Sequence, residues 1–213
     1  MGKQARRTKK PNGVQSLDRA DRLRVLLKAA GLLNQLNNGA ANCVPMASRL
    51  LRCAQLLNIR ADVVPVALAI QGPAGGVLMG QALVGLAKTV PDVVVGDISP
   101  GWQGAGHVIV HLPQDDILID VTLDQTSTLT GLKRGVLIQE DLPRDALDHP
   151  NTDDQGLTLG LSDGEICYKA VPEDTTWQTY FNNCYAAQGR DSRLAVRRAL
   201  ELNDFDEELQ PLH

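Results

Sequence analysis

Gly106-His107-Val108-Ile109-Val110-His111-Leu112, then Pro113-Gln114-Asp115-Asp116, then Ile117-Leu118-Ile119-Asp120-Val121-Thr122 reads as two β-rich runs joined by a polar turn that opens on proline. That pattern predicts an antiparallel hairpin. Side chains alternate between the two faces of a strand, so His107, Ile109 and His111 share one face, as do Leu118, Asp120 and Thr122. With a four-residue loop, 113–116, Leu112 pairs with Ile117, and Asp120 lies opposite Ile109, one diagonal step from His107. With the two-residue loop Gln114-Asp115, Asp120 lies directly opposite His107. Both registers have the same parity, so the imidazole and the carboxylate share a face in either. Asp120 sits in an apolar run, where a carboxylate is costly to bury without a hydrogen-bond partner. His107 is the available one, although a surface His–Asp pair with no chemistry would look the same in sequence. His111 has the same parity but lies nearer the turn, farther from Asp120. His149 falls in a polar loop and His213 in the tail.

Upstream, Asn42-Cys43-Val44-Pro45-Met46 opens the clearest helix of the chain. Asn42 is a good N-cap residue, and Pro45 falls in the first turn, where its missing N–H has no intrahelical partner to lose. Met46, Leu50, Ala54 and Leu57 form one stripe, with Arg49 and Arg52 free to point outward. The helix is expected to end near Asn58, and Val63–Ile70 to follow as a strand with Pro65 at a bulge or an edge. Unpaired N–H groups and aligned peptide dipoles at a helix start favour a thiolate. By position alone Cys43 reads first as a small packing residue. Taken with His107 and Asp120 it completes a nucleophile, a base and a carboxylate that fixes the base's tautomer. A zinc site built from Cys43, His107, His111 and Asp120 would lack compact ligand spacing. Cys53, Cys167 and Cys184 are expected to pack.

The Asn-Cys helix start, followed by "SRLLRCAQLLNIRADVVPV", "GHVIVH" and "ILIDVT", resembles the core of the transglutaminase-like superfamily, papain-like enzymes with the order Cys, His, Asp. The similarity spans roughly residues 36–124. It implies an α+β fold in which a helix carrying the cysteine packs on an antiparallel sheet carrying the histidine and the aspartate. It implies Cys43 as nucleophile, His107 as base and Asp120 as the residue orienting the imidazole, with 57–62 as the helix-to-strand connection. The reaction class would be attack on an amide or thioester carbonyl through a covalent acyl-enzyme, with a peptide, protein or small-molecule acyl substrate and no cofactor or metal. The alternative is a catalytically silent domain of the same fold that binds a peptide or protein. The chain departs from the family pattern in having Val108 and Val110 where an aromatic often follows the histidine, and Asn58 where glycine is usual. The Arg-Gly-Gly lead-in of the arylamine acetyltransferases is absent.

The remaining chain frames this core. Its 213 residues, 43% of them apolar, suit one domain, expected over 17–202, after a flexible basic arm (1–16) and before an acidic tail (203–213). Lys and Arg number 21 against 25 Asp and Glu, a formal charge of −4, so no global positive field marks nucleic acid as the main partner. Only the arm, with five basic residues in its first ten, could touch RNA or an acidic partner. The arm lacks the apolar segment of a secretory signal. Residues 63–87 are uncharged and long enough to span a bilayer, yet two prolines and five glycines interrupt them, so a buried strand and turn fit better. Four cysteines without a Cys-x-x-Cys pair predict reduced thiols and a cytoplasmic protein. Helices are expected over 17–33, 76–89 and 192–202, the last with Leu194, Val196, Ala199 and Leu200 inward. Short strands are expected over 93–95 and 166–171, and a loop over 99–106, in which Trp102 or Gln103 could line a cleft. The stretches 124–163 and 177–185 have no clear period.

Overall fold

A computed structural model describes residues 17–37, 42–80, 93–95, 105–143, 146–147, 156–187 and 189–203. The basic arm, the tail beyond residue 203, Trp102, Gln103, His149 and His213 lie outside them, as does most of the helix expected over 76–89. Four helices form one layer: α1 (Arg19–Asn37), α2 (Cys43–Leu56), α4 (Gln178–Ala187) and α5 (Gly189–Glu201), with α3 (Ser127–Thr130) a single turn elsewhere. The other layer is a curled, mainly antiparallel sheet of eight strands among the described residues. These are β1 (Asp62–Gly72), β2 (Gly75–Met79), β3 (Val93–Val95), β4 (His107–Leu112), β5 (Ile117–Asp120), β6 (Leu137–Gln139), β7 (Leu157–Leu161) and β8 (Gly164–Ala170). The α+β architecture is the one expected, with the cysteine-bearing helix packed on the sheet that carries His107 and Asp120.

β1 organises the sheet. β4 pairs with its residues 62–66, β2 with 68–72 and β8 with 66–71. Because β8 overlaps both other partners, β2 and β4 share one edge of β1, end to end. The seam is tight: a Cβ on Gly106 would stand 2.4 Å from the backbone N of Gly80. Only glycine fits there without displacing backbone. β1 is a central strand, so Pro65 is tolerated for a different reason from the bulge or edge position expected. Its carbonyl accepts the Val171 N–H at 2.9 Å, one residue past the end of β8, and its missing N–H therefore falls where that ladder stops.

The β4–β5 register is the four-residue-loop alternative: Leu112 pairs with Ile117, His111 with Leu118 and Val110 with Ile119. Alternate residues of this hairpin feed two cores. Val108, Val110, Leu112, Ile117 and Ile119 pack against α1, α2 and α5, with Met46 and Leu50 of α2 fully buried among them. Such burial contributes about 1.5–3 kcal/mol per side chain. Ile109 and Leu118 point the other way, into a second core with Val66, Leu68, Ile166 and Tyr168.

Some expectations are corrected. Residues 75–79 form β2 and not the start of a helix, because the Gly72–Gly75 turn folds them back along β1. On α5 the buried stripe is Ser192, Ala195, Val196, Ala199 and Leu200, at i, i+3, i+4, i+7 and i+8. Leu194 lies off that stripe and is 59% exposed. The unassigned 177–185 stretch enters α4, anchored by Trp177 edge-on to Phe181. At the end of α2, Asn58 takes a left-handed φ of 53°, with Ile59 N–H on Ala54 O and Asn58 N–H on Gln55 O. This is a Schellman cap, whose C′ residue is usually glycine and otherwise asparagine. The departure from glycine at this position is thus conformationally conservative.

Candidate active site

The site is assembled at the head of β4. His107 and Asp120, on adjacent strands and one face, are both fully buried, and His107 Nε2 lies 2.7 Å from Asp120 Oδ2. The remaining acceptor capacity of the carboxylate is filled by donors. Tyr168 donates its O–H to Oδ2 at 3.0 Å, and Thr122 donates its backbone N–H to Oδ1 at 3.0 Å and its hydroxyl to Oδ1 at 3.4 Å. An acceptor-only role suits an ionised carboxylate, so Nε2 must carry its hydrogen. Burial alone would raise the Asp120 pKa, but the charge and hydrogen bond of His107, with the Thr122 and Tyr168 donors, hold it below the ordinary aspartate value. Burial likewise works against a charged His107, and is outweighed by the charge and hydrogen bond of Asp120 and by those of Cys43, which push it up to about 10. Tyr168, buried beside that carboxylate, is raised well above the ordinary tyrosine value and so remains a donor.

Cys43 is the first residue of α2 and 9% exposed. Its thiol lies close enough to the imidazole to help raise the His107 pKa, through its charge and a hydrogen bond. The ring belongs to the second core's face and the thiol to the helix layer. They meet because His107 is the first residue of β4, where the α2 N-terminus reaches it. Asn42 does not cap α2 through its side chain, contrary to expectation. Pro45 at the third helical position has no N–H to offer, removing one of the two usual recipients of a cap. The Cys43 and Val44 N–H groups at the helix start thus have no capping side chain from Asn42.

Residues without a sequence signal complete the surroundings. Gln125, on the turn Leu123–Thr126 just beyond Asp120, places its amide nitrogen 3.1 Å from His107 Nδ1. Asp174, 3% exposed, accepts the Ala105 N–H at 3.0 Å and the Thr176 N–H at 2.9 Å, tying the segment before His107 to the lead-in of α4. α4 presents the exposed Tyr180. Its hydroxyl is raised by burial, by the charge and hydrogen bond of Cys184 and by the charge of Cys43, against an opposing effect of Arg49. Gln125 could have been suspected from its closeness in sequence to Asp120. Tyr168, Asp174 and Tyr180 lie 48 or more residues further along and carry no local pattern.

His111 pairs with Leu118 and Asp62, one ladder step from the turn, and it is His107 that meets Asp120. Among the described residues no group of three or more His, Cys, Asp or Glu side chains is gathered to hold a metal ion. Cys53 is buried inside α2, its pKa raised to about 12 by that burial. No helix among the described residues is long and apolar enough to cross a membrane. No family model, curated protein or solved structure matches the chain.

Proposed function

We propose that this chain is a thiol enzyme of the transglutaminase-like type, with Cys43 as nucleophile, His107 as base and Asp120 as the residue that fixes the ring. The observation that carries the reading is the buried His107–Asp120 contact of 2.7 Å, in a ring that also interacts with a cysteine at a helix start. In that arrangement His107 holds the Cys43 proton as the imidazolium of a thiolate–imidazolium pair, and the thiolate attacks an amide or thioester carbonyl. The Cys43 N–H at the helix start meets the developing oxyanion, and His107 returns the proton to the leaving group. The acyl-enzyme then passes its acyl group to water or to an amine. Residues 17–202 act as one domain in this reading. The four cysteines are free thiols, the form that a reducing compartment such as the cytoplasm maintains.

A second reading, a silent domain that binds a peptide or protein, is favoured by one observation: His107 is fully buried and Cys43 nearly so. Iodoacetamide labelling followed by peptide mapping separates the two. A working site gives Cys43 labelling well ahead of the more accessible Cys167, and His107→Ala abolishes that lead. Equal or slower labelling of Cys43 in the native protein supports the silent domain.

A further inference from the structure

We propose that Gln125 is a positioning residue for the second half of the reaction, holding His107 in its neutral, Nε2–H form with Nδ1 as acceptor once Cys43 is acylated. This rests on the thiol-enzyme reading above and assigns a role to a residue that reading leaves unused.

The geometry defines the tautomer. Asp120, surrounded by donors, fixes the hydrogen on Nε2, so Nδ1 is the nitrogen whose proton comes and goes. The Gln125 amide nitrogen lies 3.1 Å from Nδ1, and the Cys43 thiol also acts on the ring. An amide N–H can donate only to an unprotonated Nδ1. While Cys43 is free, its sulfur shares the ring's proton. Acylation turns that sulfur into a neutral thioester, removing both the charge and the hydrogen bond by which Cys43 favours the protonated ring. The ring has by then given its proton to the leaving group, and Gln125 is the partner that keeps Nδ1 oriented.

Gln125 is itself held. It sits half-buried on the Leu123–Thr126 turn, with its backbone N–H on the Thr122 carbonyl at 3.2 Å. Thr122 also holds Asp120 Oδ1. The same short segment thus sets both ends of the imidazole. In the step served, a water oxygen bonds to the thioester carbonyl carbon and its proton goes to Nδ1. The carbon–Sγ bond breaks with its electron pair on sulfur, and a carboxylic acid leaves. The thiolate and the imidazolium face each other again. The amide can turn its oxygen toward the new Nδ1–H, so it suits both states.

The test uses the full chain with p-nitrophenyl acetate, following the nitrophenolate burst for acylation and intact mass for decay of acetyl-Cys43. Gln125→Met removes both amide functions. Gln125→Glu, nearly isosteric, keeps an acceptor for Nδ1–H but offers neutral Nδ1 no donor. Both variants are expected to keep the burst rate within about threefold and to slow decay of the adduct about tenfold, the scale of one hydrogen bond. The pH at which decay reaches half its maximum should rise in both. Gln125→Met decaying at the wild-type rate, Gln125→Glu restoring that rate, or burst and decay slowing equally would each overturn the proposal. If the wild type forms no acetyl-Cys43, or His107→Ala forms it equally fast, the thiol-enzyme reading falls first and takes this one with it.

Discussion

Replacing Asp120 with asparagine should reverse the way stability depends on pH, and the effect can be worked from the buried pair. The experiment is done in Cys43→Ala, so that the thiol drops out of the proton count. In that protein Asp120 still holds a proton on His107, whose native pKa is raised from 6.5 to about 10 in the intact site. A group whose native pKa is raised contributes stability that is complete below its unfolded value and is lost as pH rises toward its native value. Above pH 6.5 the unfolded ring has released its proton and the native ring has not, so stability falls by up to 1.36 kcal/mol per pH unit. The thiol's own contribution to that shift is absent in this variant, so from pH 6.5 to 8.5 the loss is at most about 2 kcal/mol. Cys53 enters only above pH 9, where the unfolded thiol ionises and the buried one does not. On the acid side, stability from Asp120 is present above 3.8 and is lost as pH falls through its lowered native value. In the Cys43→Ala, Asp120→Asn double variant only burial acts on the ring and favours its neutral form. Stability should then be level or rising over the same range. Urea unfolding at half-unit pH intervals gives the two curves, and histidines elsewhere contribute equally to both. A flat curve for the single variant, or a double variant with an undiminished downward slope, would refute the claim that Asp120 outweighs burial at His107.

Three further outcomes follow from the packing. Tyr168→Phe leaves buried Asp120 Oδ2 with one donor fewer and should lower stability by about 1–3 kcal/mol in urea unfolding, well beyond the loss of an exposed hydroxyl. Asn58→Gly, at a φ of 53°, should raise stability by roughly 0.5 kcal/mol, seen as a higher urea midpoint at unchanged slope. Gly106→Ala places a Cβ 2.4 Å from the Gly80 backbone. It should cost about 2 kcal/mol or more and slow Cys43 alkylation by moving the head of β4.

Where sequence period and chemistry coincided, they were a sufficient guide. The 106–122 hairpin could be placed to within two registers of equal parity, and parity alone put His107 and Asp120 on one face. The α2 stripe of Met46, Leu50, Ala54 and Leu57 was readable because all four lie at helical spacing on a buried face. The failures have physical causes. Gly75–Met79 is apolar and glycine-rich, so its local pattern does not separate strand from helix, and only pairing with β1 decides it. Leu194 is apolar without facing the core, a common condition that composition cannot reveal. Tyr168 reaches Asp120 from β8 across β1 and β4, a contact that depends on sheet order, and sheet order leaves no mark at short range.

The division of β4 and β5 between two cores has a consequence for how the fold tolerates change. Sliding the hairpin by one residue would drive an imidazole and a carboxylate into the aliphatic layer beneath the helices, and at the same moment strip Val108, Val110 and Ile119 from it. Misalignment would be penalised on both sides of the sheet at once. Insertions and deletions in this segment should therefore be accepted only at the 113–116 turn, leaving the polar pair among the last features that drift in length could disturb.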